Sequence, residues 1–99
     1  MRPLLFTLLS LMIGGGIHAK DISHNDALKL RHKGEIVPLE TLLDQVKLRH
    51  PKSQLLEVEL ERSEGRYVYE VDIITHDGEV REILIDAASG QILVDEVDD

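Results

Sequence analysis

Residues 67–90, YVYEVDIITHDGEVREILIDAASG, decide the fold of this chain. They contain two runs rich in β-branched and aromatic residues, joined by His76-Asp77-Gly78 and closed by a second turn at residues 86–90. Strand-forming runs separated by a loop with an Asp-Gly pair are a strong sequence signal for a β-hairpin. We therefore predict two adjacent antiparallel strands here.

The length of the hairpin loop determines which residues of the second run face inward. A three-residue loop places Ile83 and Ile85 on the apolar face of the first run. A two-residue Asp77-Gly78 turn places Val80 and Leu84 there instead. We predict the three-residue loop because it turns two β-branched residues inward and accepts Gly78 as a bulge residue.

The preceding run, residues 55–62, alternates leucine and valine with glutamate, which predicts a half-buried strand. To place its apolar residues on the face shared with the next strand, even-numbered residues must oppose odd-numbered ones. A four-residue loop meets this condition. It sets Glu61 opposite Arg66, which is favourable, and Glu57 opposite Glu70, which is not.

Two helices are predicted before the strands. Residues 27–33 form a short helix that Asn25-Asp26 can cap and Gly34 can end. A second helix begins at Pro38 and ends before Pro51, because proline suits the first helical position and cannot continue a helix. Its apolar stripe consists of Leu39, Leu42, Leu43 and Val46.

These elements predict an α+β two-layer sandwich, in which a helix packs on an antiparallel β-meander of three to four strands. The last strand is short, from Gln91 to Val94. We divide the chain into a signal peptide, an N-terminal short helix with its lead-in, the sandwich domain and an acidic tail; these are residues 1–19, 20–37, 38–94 and 95–99.

The N-terminal segment has the pattern of a secretory signal peptide. Arg2 precedes an apolar run at residues 4–13, and Ala19 ends a region suited to cleavage. An uncleaved anchor is the alternative, although a membrane span needs about 20 apolar residues. The chain has no cysteine, which excludes a lipid anchor on that residue. We expect a periplasmic or secreted protein without a stable membrane anchor after cleavage.

Composition narrows the classes of partner. Cleavage after Ala19 leaves 80 residues with 19 acidic and 10 basic side chains, a net charge of about −9. Such a chain repels nucleic acid and anionic lipid and suits a basic peptide, a cation or a positively charged protein surface. Only two aromatic residues, Tyr67 and Tyr69, follow the predicted signal peptide. That number disfavours base-stacking platforms and aromatic sugar-binding surfaces.

Catalytic and cofactor motifs are missing from the sequence. No serine lies in a nucleophile elbow, and no glycine-rich phosphate loop follows a predicted strand. The histidines lack metal-ligand spacing, so a metal site built from His24, His32 and nearby carboxylates is the less favoured alternative. We expect no catalytic residue, no metal and no cofactor.

One group of side chains is the leading candidate for contact with a partner. Glutamate and aspartate alternate onto the sheet face opposite the apolar stripe. A solvated surface is the simplest interpretation, but several like charges on one face are unfavourable for the isolated fold. We predict a protein-binding surface formed by Glu57, Glu59, Glu70 and Asp72.

The strand and turn motifs LLEVELER, RYVYEVDIIT, HDG, EVREILID and DAASGQIL, taken together, resemble the PepSY domain. Tyr67 stands where the family often has tryptophan, and Ser89 where it often has threonine. Arg81 occupies a position that is frequently apolar or aromatic in the family. The resemblance covers roughly residues 38–94.

The resemblance implies a non-enzymatic, extracytoplasmic domain with no catalytic residue to transfer. The family occurs in propeptides of thermolysin-like metallopeptidases, in stand-alone secreted proteins and in membrane proteins. The expected function is therefore a protein–protein interaction module that inhibits or modulates a peptidase. The alternative is a small-ligand-sensing or cation-sensing accessory of a membrane sensor, whose sensor domain would be the protein partner.

Overall fold

The computed structural model describes residues 20–98, which form two helices and one five-stranded sheet. All neighbouring strands are antiparallel, and their order in the sheet follows the chain. The elements are β1 (Lys20–Asp21), α1 (His24–His32), α2 (Leu39–Arg49), β2 (Gln54–Ser63), β3 (Arg66–Ile74), β4 (Val80–Asp86) and β5 (Ile92–Val97).

The predicted α+β sandwich is confirmed, with one strand more than expected. The additional strand is β1, which contains two residues and lies at the sheet edge beside β2. Its sequence, Lys20-Asp21, is too short and polar to show strand periodicity. The predicted signal peptide, residues 1–19, lies outside the described residues.

The first helix begins earlier than the sequence indicates. Ser23, in an extended conformation, is its N-cap, and the Ser23 hydroxyl accepts a hydrogen bond from the amide of Asp26. The prediction that Asn25-Asp26 caps the helix is therefore wrong, because Ser23 satisfies a first-turn amide one turn before Ala27. The helix ends as predicted, with Gly34 in the left-handed conformation at φ +76°.

The second helix packs its apolar stripe on the sheet. It begins at Leu39, one residue after the predicted start, and Pro38 serves as the N-cap without a side-chain hydrogen bond. Leu42 and Val46 are buried, one turn apart on the face towards the sheet. Leu48 lies outside this stripe and is 83% exposed, in agreement with the sequence pattern.

The register of the first hairpin differs from the prediction by two residues. Ser63 pairs with Arg66, so the loop contains two residues rather than four, and Glu59 rather than Glu57 opposes Glu70. Both loop lengths are even, and the apolar residues therefore still share one face. The shorter loop is possible because Glu64 and Gly65 both adopt positive φ, which matches a tight hairpin turn.

The second hairpin has the predicted register. Val71 opposes Ile83 and the loop contains three residues, closed by a hydrogen bond of 2.8 Å from the Thr75 amide to the Glu79 carbonyl. Gly78 adopts φ +89°, a conformation that side chains rarely allow.

One apolar core lies between the helices and the inner face of the sheet. Its buried side chains come from α2, from the three central strands, from Ile36 between the helices and from Ala87 after β4. They are Ile36, Leu42, Val46, Leu60, Tyr69, Val71, Ile73, Ile83, Ile85 and Ala87.

The predicted short last strand and separate acidic tail are corrected by the structure. β5 runs to Val97 rather than ending at Val94, so most of the tail belongs to the sheet. The side chain of Asp95 is only 6% exposed and turns towards the helix side. Alternation within the sheet accounts for this position, because Asp95 pairs with the buried Ile83 and shares its face.

Candidate partner-binding surface

The acidic face is the sheet surface that points away from the apolar core. Of the four predicted binding residues, Glu57 is exposed and Glu59 is half-buried, whereas Glu70 and Asp72 are 2% and 3% exposed. Cross-strand pairing brings all four together, because Glu57 opposes Asp72 and Glu59 opposes Glu70. The simple interpretation of a wholly solvated face is therefore wrong, and only Glu57 and Glu59 can reach a partner directly.

Three further carboxylates belong to this face or to its edge and were not predicted as part of the site. They are Glu61, Glu82 and Asp21. Glu82 opposes Asp72 and is buried, while Asp21 opposes Glu61 from the edge strand β1. Glu82 could have been identified, since the predicted three-residue loop already sets it beside Asp72. Asp21 could not, because no sequence pattern predicts β1.

Crowding changes the ionisation of this face. Burial raises the pKa of Glu61 to about 7, with further contributions from Glu70, Asp21 and Glu59. The pKa of Glu59 is also raised, by burial and by the charges of Asp21, Glu57 and Glu70. A hydrogen bond joins Glu61 to Glu70, and the protonated form of Glu61 is the donor in that pair. Uptake of a proton relieves the repulsion between these carboxylates.

Two groups of carboxylates have oxygen atoms close enough to share a ligand. In each, the oxygens lie within 4.8 Å of one another; the groups are Asp21, Glu59 and Glu61, and Glu70, Asp72 and Glu82. Neither of these groups contains His24 or His32, the histidines of the alternative metal site. Oxygen ligands of this kind suit hard cations.

Two clefts open beside the first long strand of the sheet. One, of about 350 Å³, lies between α1 and the residues Val58, Glu59 and Leu60 of β2. The other, of about 510 Å³, lies between α2 and the beginning of β2 at Gln54 and Leu55. Apolar side chains form most of the lining of the first cleft and about half of that of the second. Charged side chains of both signs complete the linings; they are Asp21, Glu59 and Arg31 in the first cleft and Glu40, Asp44 and Lys47 in the second.

A separate ion-pair cluster joins the C-terminal end of α2 to β4 and β5, at the edge of the sheet opposite β1. Asp95 accepts hydrogen bonds from Arg49 Nε at 2.6 Å and from Arg81 Nε at 2.8 Å, and its Oδ2 lies 2.8 Å from His50 Nε2. Arg81 also donates to Glu79. Burial by itself would raise the pKa of Asp95, but these hydrogen bonds outweigh it and lower the pKa to about 2.

The serine that follows β4 has a structural role. The Ser89 hydroxyl donates to Asp86 Oδ2 at 2.7 Å, and the Ser89 amide donates to the same oxygen at 3.0 Å. These bonds close the turn before β5, as the sequence of the turn indicates. No histidine takes part in this turn within the described chain, so it lacks the base of a hydrolytic triad.

Comparison with known proteins identifies the fold family. Residues 36–96, more than half of the chain, match the model of the PepSY family, described as "Peptidase propeptide and YPEB domain". The chain belongs to the PepSY family. The PepSY match begins at Ile36 and ends within β5, and so includes α2 and the four long strands. This description names peptidase propeptides, and the match indicates no enzymatic family.

A curated relative is consistent with the PepSY assignment. The chain is 31% identical over 83 residues to the uncharacterized protein YkoJ of Bacillus subtilis (strain 168). The alignment covers 84% of this chain, and the chain spans about half the length of that relative. No solved structure matches the chain significantly. No helix within residues 20–98 is long and apolar enough to cross a membrane.

The family match separates the PepSY domain from the elements that border its edge. β1 and α1 precede residue 36 and lie outside the matched residues. Glu57, Glu59, Glu70 and Asp72 all lie inside them. The predicted surface therefore belongs to the PepSY domain, while Asp21 and one wall of the smaller cleft come from the preceding segment.

Glu61→Gln tests the crowding on this PepSY surface. Because the folded pKa of Glu61, about 7, exceeds its ordinary value of 4.5, ionisation of Glu61 opposes folding, and stability falls as pH rises from about 5 to 8. Glutamine keeps a hydrogen-bond donor and carries no charge. We expect the variant to melt about 5 °C or more above the wild type at pH 8 and close to it at pH 5.

Thermal melts from pH 5 to 8 measure this effect, with Glu64→Gln in the exposed turn as the matched control. The control should melt with the wild type at every pH. Equal pH profiles for Glu61→Gln and the wild type would contradict the electrostatic description of the acidic face.

Proposed function

We propose that this protein is a non-enzymatic periplasmic or secreted binding module that restrains a peptidase by direct protein–protein contact. The observation that carries the proposal is the match of most of the folded chain to a family of peptidase propeptide domains. A propeptide-type domain acts by occupying a surface of its peptidase, which requires complementary contacts and no catalytic group. The absence of a recognised nucleophile or cofactor motif in the sequence agrees with this role.

We propose the acidic face as the surface that meets the peptidase. Glu57 and Glu59 form its accessible part, with Asp72 and Glu70 beside them on β3. Carboxylates held close together favour a partner with a basic patch, since each new opposite charge offsets existing repulsion. The raised pKa of Glu59 supports this, because burial and neighbouring charges already disfavour its ionised form.

Association kinetics test the proposed contact. A thermolysin-type metallopeptidase is immobilised, and the association rate of the protein is measured between about 0.05 M and 1 M salt, over which the screening length falls from more than ~10 Å to ~3 Å. The wild-type rate should fall as salt rises. Glu57→Gln/Glu59→Gln should associate about tenfold more slowly at low salt and converge with the wild type at high salt.

Glu35→Gln/Glu64→Gln is the matched control, because both residues are exposed and lie in connecting segments outside the strands, Glu35 between the two helices and Glu64 in the turn between β2 and β3. It makes the same change in net charge. Equal rates for the acidic-face variant and the wild type would exclude this face as the contact surface. Absence of any binding to the peptidase would contradict the proposed function itself.

Export is the second part of the proposal, and it rests on the sequence pattern of residues 1–19. We expect the N-terminal segment to be removed after Ala19 when the chain is produced in a host that exports it. Intact-mass measurement of the protein recovered outside the cytoplasm checks this. A mass that retains residues 1–19 would contradict cleavage.

A cation-sensing accessory role is the second candidate, and the two groups of carboxylates are the observation that favours it. Calcium that binds the folded state raises the melting temperature, and above the dissociation constant the stabilisation grows with the logarithm of the calcium concentration. This role predicts a shift of several degrees at millimolar calcium. An unchanged melting temperature would remove it and leave the peptidase-binding role unaffected.

A further inference from the structure

β2 has an edge that β1 covers only in part. After β1 ends, the amide of Ile22 donates one last hydrogen bond, 2.8 Å long, to the carbonyl of Leu60. The chain then turns into α1. Beside residues 54–59 no other strand lies within the described part of the chain, and we name this segment the open edge.

Main-chain donors and acceptors point outward from the open edge. Backbone groups in an antiparallel ladder alternate between the two sides of a strand. Since the carbonyl of Leu60 faces β1, the N–H and C=O of Val58, two residues earlier, face the same side. Lysine and proline, which often protect exposed edges, do not occur in residues 54–59. The protective features are the glutamate charges of this segment and a bulge between Leu55 and Glu57, which keeps the regular stretch short.

Apolar surface lies at both ends of the open edge. Leu55 and Leu56 are about half exposed, at 49% and 54%. The cleft beside α2 meets the edge at Leu55, and the cleft beside α1 meets it at Val58. Because of the bulge between them, these positions oppose Ile73 and Val71, which are two residues apart on β3, or ~7 Å along a strand. An extended peptide on this edge can therefore place one side chain in each cleft.

Charge selects the kind of segment that fits. Glu57 and Glu59 flank Val58 on the edge. The linings of the two clefts add Asp21, Glu40 and Asp44 against Arg31 and Lys47, so carboxylates are in excess around the edge. A second copy of this chain, paired edge to edge, would bring glutamate against glutamate, which is unfavourable. Lysine or arginine on the added strand would instead meet these carboxylates, while alternate residues enter the apolar clefts.

We infer that the open edge of β2 binds an extended basic peptide segment, which adds to the sheet as a further strand. Main-chain hydrogen bonds at Val58 hold the segment, its apolar side chains occupy the two clefts, and its cationic side chains pair with Glu57 and Glu59. This is the known mode of β-strand addition, in which backbone pairing provides affinity and alternate side chains provide specificity. The inference rests on the proposed function, because it names the segment of a partner that this module grips.

Labelled synthetic peptides test the inference by fluorescence anisotropy with the purified protein. The probe is a heptapeptide in which lysine or arginine alternates with valine. One counterpart carries N-methyl groups on alternate amides, and another has glutamate in place of the basic residues. We expect the basic peptide to bind, and the other two to bind at least about tenfold more weakly.

Protein variants test the position of the site. Glu57→Lys/Glu59→Lys should weaken binding of the basic peptide about tenfold, and Glu35→Lys/Glu64→Lys should leave it within about twofold. Equal affinity for the N-methylated peptide, equal losses in both variants, or no binding of the basic peptide would overturn the inference. Peptidase inhibition without peptide binding would overturn strand addition alone. Peptide binding without any effect on peptidases would overturn only the proposed function.

Discussion

Val71→Asp is expected to leave the domain unfolded at room temperature. Val71 is fully buried in the centre of the core, opposite Val58 and Ile83. An aspartate there loses apolar burial and places a charge among aliphatic side chains, which together cost about 5 kcal/mol or more. A domain of roughly 80 residues has a total stability of about 4–12 kcal/mol. This substitution therefore removes most or all of it.

Circular dichroism melts and urea titrations measure the loss, and Val97→Asp is the matched control. Val97 lies in β5 and is 42% exposed, so the same substitution there should cost less than about 1 kcal/mol. Glu59→Ala should also be close to neutral, since Glu59 is only half-buried and relieves repulsion when removed. Similar losses for Val71→Asp and Val97→Asp would show that the facing of the sheet is wrong.

Asp95→Asn is expected to lower the free energy of unfolding by about 2 kcal/mol at pH 7. The Asp95 carboxylate is 6% exposed and accepts hydrogen bonds from Arg49 and Arg81, with His50 Nε2 also within 2.8 Å. Asparagine keeps the shape but removes the negative charge that these three groups share. Asp44→Asn, at an exposed position on α2, should change stability by no more than about 0.5 kcal/mol.

The acid limb of the stability curve gives an independent readout for Asp95. Its folded pKa, about 2, lies below its ordinary value of 3.8. The stabilisation is therefore complete above about pH 4 and is lost as pH falls towards 2. The wild type should lose this increment over that range, whereas Asp95→Asn should not. Parallel curves for the two proteins from pH 5 to 2 would contradict the role given to the cluster.

The central architecture could be predicted because it depends on local patterns. Alternation in residues 67–90 and the His76-Asp77-Gly78 loop were sufficient to predict the register of β3 with β4. The stripe of α2 was predicted for the same reason. Parity explains why Val58 and Leu60 on the inner face of β2 were also predicted, although the register was wrong by two residues. A two-residue and a four-residue loop turn the same side chains inward. The prediction that Leu56 shares this face is wrong, because a bulge leaves Leu56 unpaired and 54% exposed.

Features that depend on long-range contacts could not be predicted. Asp95 was assigned to a tail because an acidic run at a terminus usually remains in solvent; its partners, Arg49 and Arg81, are distant in sequence. β1 was missed because two residues carry no periodicity. Burial of Glu70 and Asp72 was missed for a related reason, since alternation predicts the face of a side chain but not its exposure.

Steady-state inhibition tests whether this protein restrains a peptidase by binding to it. A thermolysin-type metallopeptidase hydrolyses a chromogenic peptide substrate while the purified protein is added from equimolar to about 100-fold excess, and intact mass is followed in parallel. We expect that hydrolysis slows in proportion to the complex formed and that the protein remains uncleaved. Undiminished hydrolysis at the highest excess, or digestion of the folded protein as a substrate, would contradict it.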